Sequence, residues 1–242
     1  MKRFKVPALG FFATLGLFLS PWIFVHNAGA VSGAPLTGKV IFEGTAPPPQ
    51  ILKVEADPVC LLQHQGGITS EEVVVNPNGT LKNVFVYVKQ GLEGQTFPAP
   101  AAPVVFDQKG CHYEPHVFGI QAGQPLEILN SDDTLHNVHA LPKNTQEFNL
   151  GMPIKGMKLT KTFTAPEVAV KIKCEVHPWM AAYAGVLDHP FYAVTGEDGT
   201  FAIKDLPPGE YVIEAWHEKY GAQTQTVKVP ETSEVSFTFK AL

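Results

Sequence analysis

Several features of common functional classes are missing from this sequence. It has no run of basic residues and a net charge of −5, so a nucleic-acid partner has no electrostatic footprint to bind. After Val31 no apolar run is long enough to cross a bilayer. Cysteine is scarce at three residues, too few for the dense disulfide framework of a small secreted scaffold. No segment beyond the first thirty residues combines helix caps with a 3.6-residue apolar period, which argues against helical architecture. Charged residues make up only 17%, against 45% apolar and 10% aromatic. That balance excludes global disorder and supplies a core.

What is abundant is punctuation. Glycine and proline each occur 21 times, between short valine-rich runs, as in a chain of short strands joined by turns. Residues 37–42 read as a strand, Val73–Val75 and Leu81–Val88 as two more around the turn Asn76-Pro-Asn-Gly79. In the last of these Val84, Val86 and Val88 share one face, Phe85 and Tyr87 the other. A Pro/Ala stretch at 98–103 marks a boundary. A second block then gives strands at Pro125–Leu129, Leu135–Ala140 and Val168–Cys174, with a long loop expected between Ala140 and Lys158. From Phe191 the tidy pattern returns: turns at Glu197-Asp-Gly199 and Leu206-Pro-Pro-Gly209, strands at Tyr211–Trp216, Thr224–Val229 and Val235–Phe239.

Residues 1–30 read as a signal peptide. Lys2, Arg3 and Lys5 precede an apolar stretch to Val25, and Ala28-Gly29-Ala30 has the small-x-small form of a cleavage site. Cleavage near Ala30 would leave a chain in the periplasm with no membrane span; left uncleaved, the same stretch, nearly long enough to span, would be a membrane anchor.

The C-terminal stretch Thr195-Gly-Glu-Asp-Gly-Thr-Phe201 followed by Leu206-Pro-Pro-Gly-Glu-Tyr211 resembles carboxypeptidase regulatory-like, transthyretin-type sandwiches. The opening strands that such a sandwich implies stand far upstream, as Gly38-Lys39-Val40 and Val84-Phe-Val-Tyr-Val88. The expected layout is therefore one discontinuous sandwich, residues 31–103 plus 191–242, with an insert at 104–190.

The insert holds the chemistry. Cys174-Glu-Val-His177-Pro-Trp-Met180 places a thiolate, an imidazole and a thioether within seven residues. Val168, Val170, Ile172 and Cys174 share strand parity, so a core-facing strand would bury the sulfur. Two imidazoles and a thiolate in a plane with a distant thioether make a three-plus-one copper site. The stretch Asn130-Ser-Asp-Asp-Thr-Leu-His136-Asn137-Val138-His139 supplies the second imidazole. Zinc fits less well because a thioether is a poor ligand for it.

Here the chain resembles the cupredoxins, the small blue copper electron carriers, and in particular those with the short amicyanin-type ligand loop. The match rests on His136-Asn137-Val138-His139, the 37 residues between His136 and Cys174, and Cys-x2-His-x2-Met. The resemblance implies His136, Cys174 and His177 as equatorial ligands, Met180 as the axial one, and Asn137 as a hydrogen-bonded tie between the two ligand segments. Met152 and Met157, in the loop before the ligand strand, are expected to be packing residues, either one a fallback axial donor should Met180 point away. A binuclear site would need a second cysteine in the loop, and a multicopper oxidase would need His-x-His pairs; neither is present. Some exported proteins of this combined layout carry a methylamine-utilisation label, a weak pointer to pathway.

His139 stands three residues from His136, on the opposite strand face, and is expected outside the site. Cys111-His112-x-x-x-His116 could form a second metal site. In an oxidising compartment, however, the two spare thiols Cys60 and Cys111 are expected to pair. The expectation is an all-β chain, a cupredoxin Greek-key β-sandwich inserted in, or in tandem with, a second small β-sandwich. It would hold one type 1 copper, carry out no catalysis, and exchange single electrons with redox proteins such as a c-type cytochrome or a periplasmic dehydrogenase or oxidase. The edge of His177 is expected near the surface as the electron route. The rival is copper binding and delivery without a redox role.

Overall fold

The computed structural model describes residues 33–241. The expected signal peptide, residues 1–30, lies outside them. The chain is almost entirely β. In order its elements are β1 Ala34–Glu43, β2 Ile51–Leu52, α1 Pro58–Gln63, β3 Ile68–Thr69, β4 Phe85–Gln90, β5 Val104–Lys109, β6 His112–Glu114, β7 Val117–Gln121, β8 Leu126–Asn130 and β9 His136–Leu141. There follow β10 Phe148–Met152, β11 Lys158–Lys161, β12 Glu167–Lys173, β13 Ala181–Leu187, β14 Tyr192–Val194, β15 Thr200–Leu206, β16 Gly209–His217, β17 Gly221–Val229 and β18 Glu234–Lys240.

Two pairs of sheets account for nearly all of these strands. One pair joins the two ends of the sequence: β15-β1-β18 and β14-β4-β16-β17. Alternation along β1 buries Leu36, Val40 and Phe42 and leaves Thr37 and Lys39 in water. These side chains meet Val84, Val86, Val88, Tyr211, Ile213 and Phe237 in one apolar core. The other pair is formed by the middle of the sequence: β10-β9-β12-β13-β7 and β11-β8-β5-β6. Phe106, Ile120, Ile128, Val138, Val170 and Ile172 fill the space between them.

The second face of β4 carries Phe85 and Tyr87 against Val117 and Leu187 of the middle block. Two glycines permit this approach. A Cβ on Gly119 would stand 2.1 Å from the Tyr192 ring, and one on Gly185 2.2 Å from Phe85, distances no side chain tolerates. The phenolic Tyr87 reaches the buried Glu214 at 2.6 Å.

Several expectations fail locally. Val73–Val75 contributes only a bridge from Val75 to Leu81, and β4 begins at Phe85 rather than Leu81. The region between Ala140 and Lys158 contains β10, paired in register along β9; Gly151 lies within it opposite Asn137, and Pro142 and Pro153 fall outside it and do not prevent pairing. The parity of β12 breaks at Ala169, where φ is +64° and the register slips between Glu167 and Val170. Val168 accordingly packs toward the Phe85 cluster while Val170 and Ile172 stay in the middle core, as a bulge redirects one side chain. The helix α1 was unforeseen. It is a single capped turn with too few residues to show a period, but Asp57-Pro58 is an N-cap followed by proline at N1.

Candidate metal centre

Three segments converge at one end of the five-stranded sheet: the start of β9 with His136, the end of β12 with Cys174, and the turn leading into β13. The turn is closed by backbone bonds, Met180 N–H to His177 O at 2.9 Å and Cys174 N–H to Met180 O at 3.2 Å. Ligand atoms of His136, Cys174 and His177 all lie within 4.8 Å of one another. Met180 is buried in the same core as Cys174. Asn137 joins the segments through its own N–H to the Cys174 sulfur at 3.5 Å and its Oδ1, which accepts the Glu175 N–H at 2.6 Å.

Each imidazole is oriented by a carboxylate. His136 Nε2 lies 2.9 Å from Asp132 Oδ2, and His177 Nε2 lies 3.0 Å from Asp57 Oδ2. A carboxylate accepts, so each Nε2 carries its proton and each Nδ1 presents a lone pair. Those two Nδ1 atoms face each other at 2.8 Å, with the Cys174 sulfur 3.8 Å from that of His177. Two opposed lone pairs at that distance require a proton or a cation between them. A carboxylate behind each ligating imidazole is the recurring outer arrangement of protein metal sites.

Burial works against the charged His136, but Asp132 and Cys174 outweigh it and raise its pKa to about 8, so the gap between the two Nδ1 atoms holds a proton until a cation replaces it. Burial alone would raise the Cys174 thiol, but His136, His177 and the N–H groups of Asn137 and His177 outweigh it and bring the thiol down to about 6. Burial likewise works against Asp132 and Asp57, yet hydrogen bonds hold both carboxyls at about 2. For Asp132 the donors are His136 and the N–H groups of Cys111 and Gly110. For Asp57 they are Thr134, His177 and the N–H groups of Cys60 and Val59. A thiolate and two bare Nδ1 atoms form a soft, borderline donor set suited to copper, and Met180 adds a thioether to the same buried turn.

Asp57 and Asp132 escaped the sequence reading, and so did the device that supplies them. Gly110 and Cys111 both have positive φ, as a two-residue type I′ hairpin between β5 and β6 requires, and this aims their N–H groups at Asp132, each at 2.8 Å. Cys111 is bonded to Cys60, as expected. That bond ties α1 onto the hairpin, and His64 just after α1 reaches Gly110 O at 2.8 Å. The helix thus forms a lid. Asp57 caps it through Oδ1 and receives His177 and Thr134 through Oδ2. The Asp-Pro pair and the cysteine three residues after Asp57 were the available signals for it.

The lid overturns one expectation. The His177 edge does not approach the surface: the residue is 1% exposed, and its Nε2 lies 4.0 Å from Cys60 Sγ. Other residues fall outside the cluster. His139 sits between Glu175 and Glu147. Met152 accepts a hydrogen bond from Gln108 at 3.0 Å, so its sulfur is engaged elsewhere, and Met157 packs at the core's edge. The candidate second site is dismantled by its own partners. Cys111 is in the disulfide, while His116 gives Nδ1–H to Ala181 O and Nε2–H to Glu218, leaving no lone pair for a metal.

No family model matches the chain, and no curated protein matches it. Among solved structures it is similar to a Cu-containing nitrite reductase from Thermus scotoductus, at 22% identity over 39% of this chain and 26% of that one, with a TM-score of 0.34. It is also similar to the Cu(I) form of an amicyanin mutant, at 23% identity over 43% of this chain and 98% of that one, with a TM-score of 0.31. A purple cupredoxin from Nitrosopumilus maritimus is 22% identical over 35% of this chain and 98% of that one, with a TM-score of 0.30. The chain thus spans about a quarter of the nitrite reductase. Among the described residues no helix is long and apolar enough to cross a membrane.

Proposed function

We propose that this chain is an exported copper protein of the cupredoxin type that carries single electrons between redox proteins. The observation that carries this reading is the pair of carboxylate-backed Nδ1 lone pairs, 2.8 Å apart, beside a depressed thiol. His136 and His177 would bind through Nδ1 and Cys174 through its sulfur, and the Met180 thioether would be the weaker fourth donor. Bound copper would supply the one-electron couple. The residues do the rest. Asp132 and Asp57 fix the imidazoles, Asn137 locks the two ligand segments, and the Asn137 and His177 N–H groups at 3.5 and 3.3 Å stabilise charge on the sulfur.

Burial favours a carrier over both an enzyme and a delivery protein. His136, His177 and Cys174 are each at most 3% exposed, which leaves no room for a substrate and no easy exit for an ion beneath a disulfide-tethered lid. In the layout we propose, residues 104–190 form the copper domain, inserted into a sandwich of residues 31–103 plus 191–242. Strand pairing supports it: among the described residues the strand partners of β1 are β15 and β18, and those of β4 are β14 and β16. A disulfide suits the periplasm, where a c-type cytochrome or a periplasmic dehydrogenase or oxidase would be the partner.

The test is the visible spectrum and metal content of the copper-loaded chain. One copper with an intense thiolate-to-copper band is expected, and Cys174→Ser should abolish the band while the far-UV circular dichroism stays β. A colourless Cu(II) form of the wild type would refute the electron-carrier reading.

A further inference from the structure

None of the four proposed copper ligands reaches solvent. His136 is 0%, His177 1%, Met180 2% and Cys174 3% exposed. The outer side of His177 is closed by Asp57 and by the disulfide, whose cysteines are themselves 0% exposed. An electron must therefore cross some other group to leave.

Trp179 meets the requirement on both sides. Its ring lies 4.9 Å from the His177 ring, centroid to centroid. It is only half-buried, and it lines a groove of about 250 Å³ together with Leu52, Glu71, Lys171 and Pro178. Its Nε1–H donates to Cys111 O at 3.2 Å, which fixes the indole against the same hairpin that holds the lid. Val176 and Leu62 are more exposed, at 43% and 75%, but they offer saturated side chains with no π-system.

We infer that Trp179 is the electron port of this site: electrons pass between His177 and an outside reactant across the indole, at the groove. This rests on the electron-carrier reading above. The step is one-electron transfer alone. Cu(I) becomes Cu(II), the outside oxidant is reduced by one electron, no bond is made or broken, and no proton moves.

The experiment oxidises the Cu(I) protein with tris(1,10-phenanthroline)cobalt(III) in a stopped-flow instrument and follows growth of the visible band. Trp179→Leu is expected to slow the reaction about tenfold or more, Trp179→Phe to restore most of the rate, and Leu62→Gln to leave it unchanged. Band position and midpoint potential should stay those of the wild type in all three. An unchanged rate in Trp179→Leu, or a larger loss in Leu62→Gln, would overturn the assignment. A wild type with no band would instead remove the reading beneath it. In metal-free protein, the fluorescence lost in Trp179→Phe should be the fraction quenched by acrylamide. If the lost fraction is the protected one, the ring does not face solvent and the port is wrong, even if Trp179→Leu fails to fold.

Discussion

The two sheet pairs of this chain bury different kinds of surface. In the pair made from the ends of the sequence an apolar core runs from Leu36 to Phe239, and buried polar groups such as Asn76, Thr80 and Thr195 bond to one another or to nearby carbonyls. In the middle pair the core is equally apolar through most of its depth, but one end buries His136, His177, Asp132, Asn130 and Asn137. Buried polar groups cost stability unless partnered, and here each has a partner: His136 with Asp132, His177 with Asp57, Asn130 with Met152 O and Asn137 with Asn149. The difference separates labour. One sandwich supplies stability, while the other holds a polar cluster that it could not easily support without α1, which enters from the first part of the chain.

That comparison can be broken at its joint. Replacing Cys60 and Cys111 by serine removes a cross-link spanning 51 residues, worth about 4 kcal/mol by loop-closure entropy. The expected result is the largest fall in denaturant midpoint of any change discussed here, with weakened copper retention as the lid lifts. Ile213→Ala in the sandwich core, where the residue is fully buried, should cost about 3 kcal/mol, yet leave the visible band where it was. If the band shifts, the two regions are not separable.

Asp57→Asn tests the opposite separation. It should lower copper affinity on the order of ten- to hundredfold in a chelator competition, with only a small change in thermal midpoint from the weakened cap. The smallest effect is expected at the clasp between the regions, His116 to Glu218. Burial disfavours the charged imidazole, but Glu218 and, at 3.9 Å, Glu71 outweigh it and raise its pKa. A raised folded pKa stabilises fully below the unfolded value of 6.5 and loses that stabilisation as pH rises through the folded value. Glu218→Gln should therefore cost about 1.5 kcal/mol in mildly acidic buffer, and the thermal-midpoint gap to the wild type should narrow as pH rises.

The sequence made the β architecture legible because alternation and turn residues are local signals. The two faces of Val84–Val88 were readable as apolar on both sides, and the structure explains why: one faces the sandwich core, the other the middle block. His136, Cys174, His177 and Met180 stood out because their donor atoms and spacing are chemically unusual. Asp57 did not, because its task is set by a residue 120 positions away, and an Asp-Pro pair is common in loops. The burial of His177 was hidden for the same reason. Its cover comes from α1, which no property of the ligand loop announces. β10 was missed because its apolar alternation is thin, its side chains being mostly half-exposed or exposed, and its pairing partner β9 defines it.

The position of β1 has one more consequence. It lies between β15 and β18, with Gly38 opposite Phe201 on one side and Val235 on the other. Its early partner is the short segment 79–81, through Phe42 N–H to Gly79 O and Leu81 N–H to Val40 O; its two full strand neighbours come only toward the end of the chain. During synthesis and export most of its backbone edge lacks its strand partners, an interval in which long-range β pairing is slow and strand edges invite association. A chain shortened by only its final strand would leave that edge open permanently, so such a truncation should aggregate rather than yield a smaller copper protein.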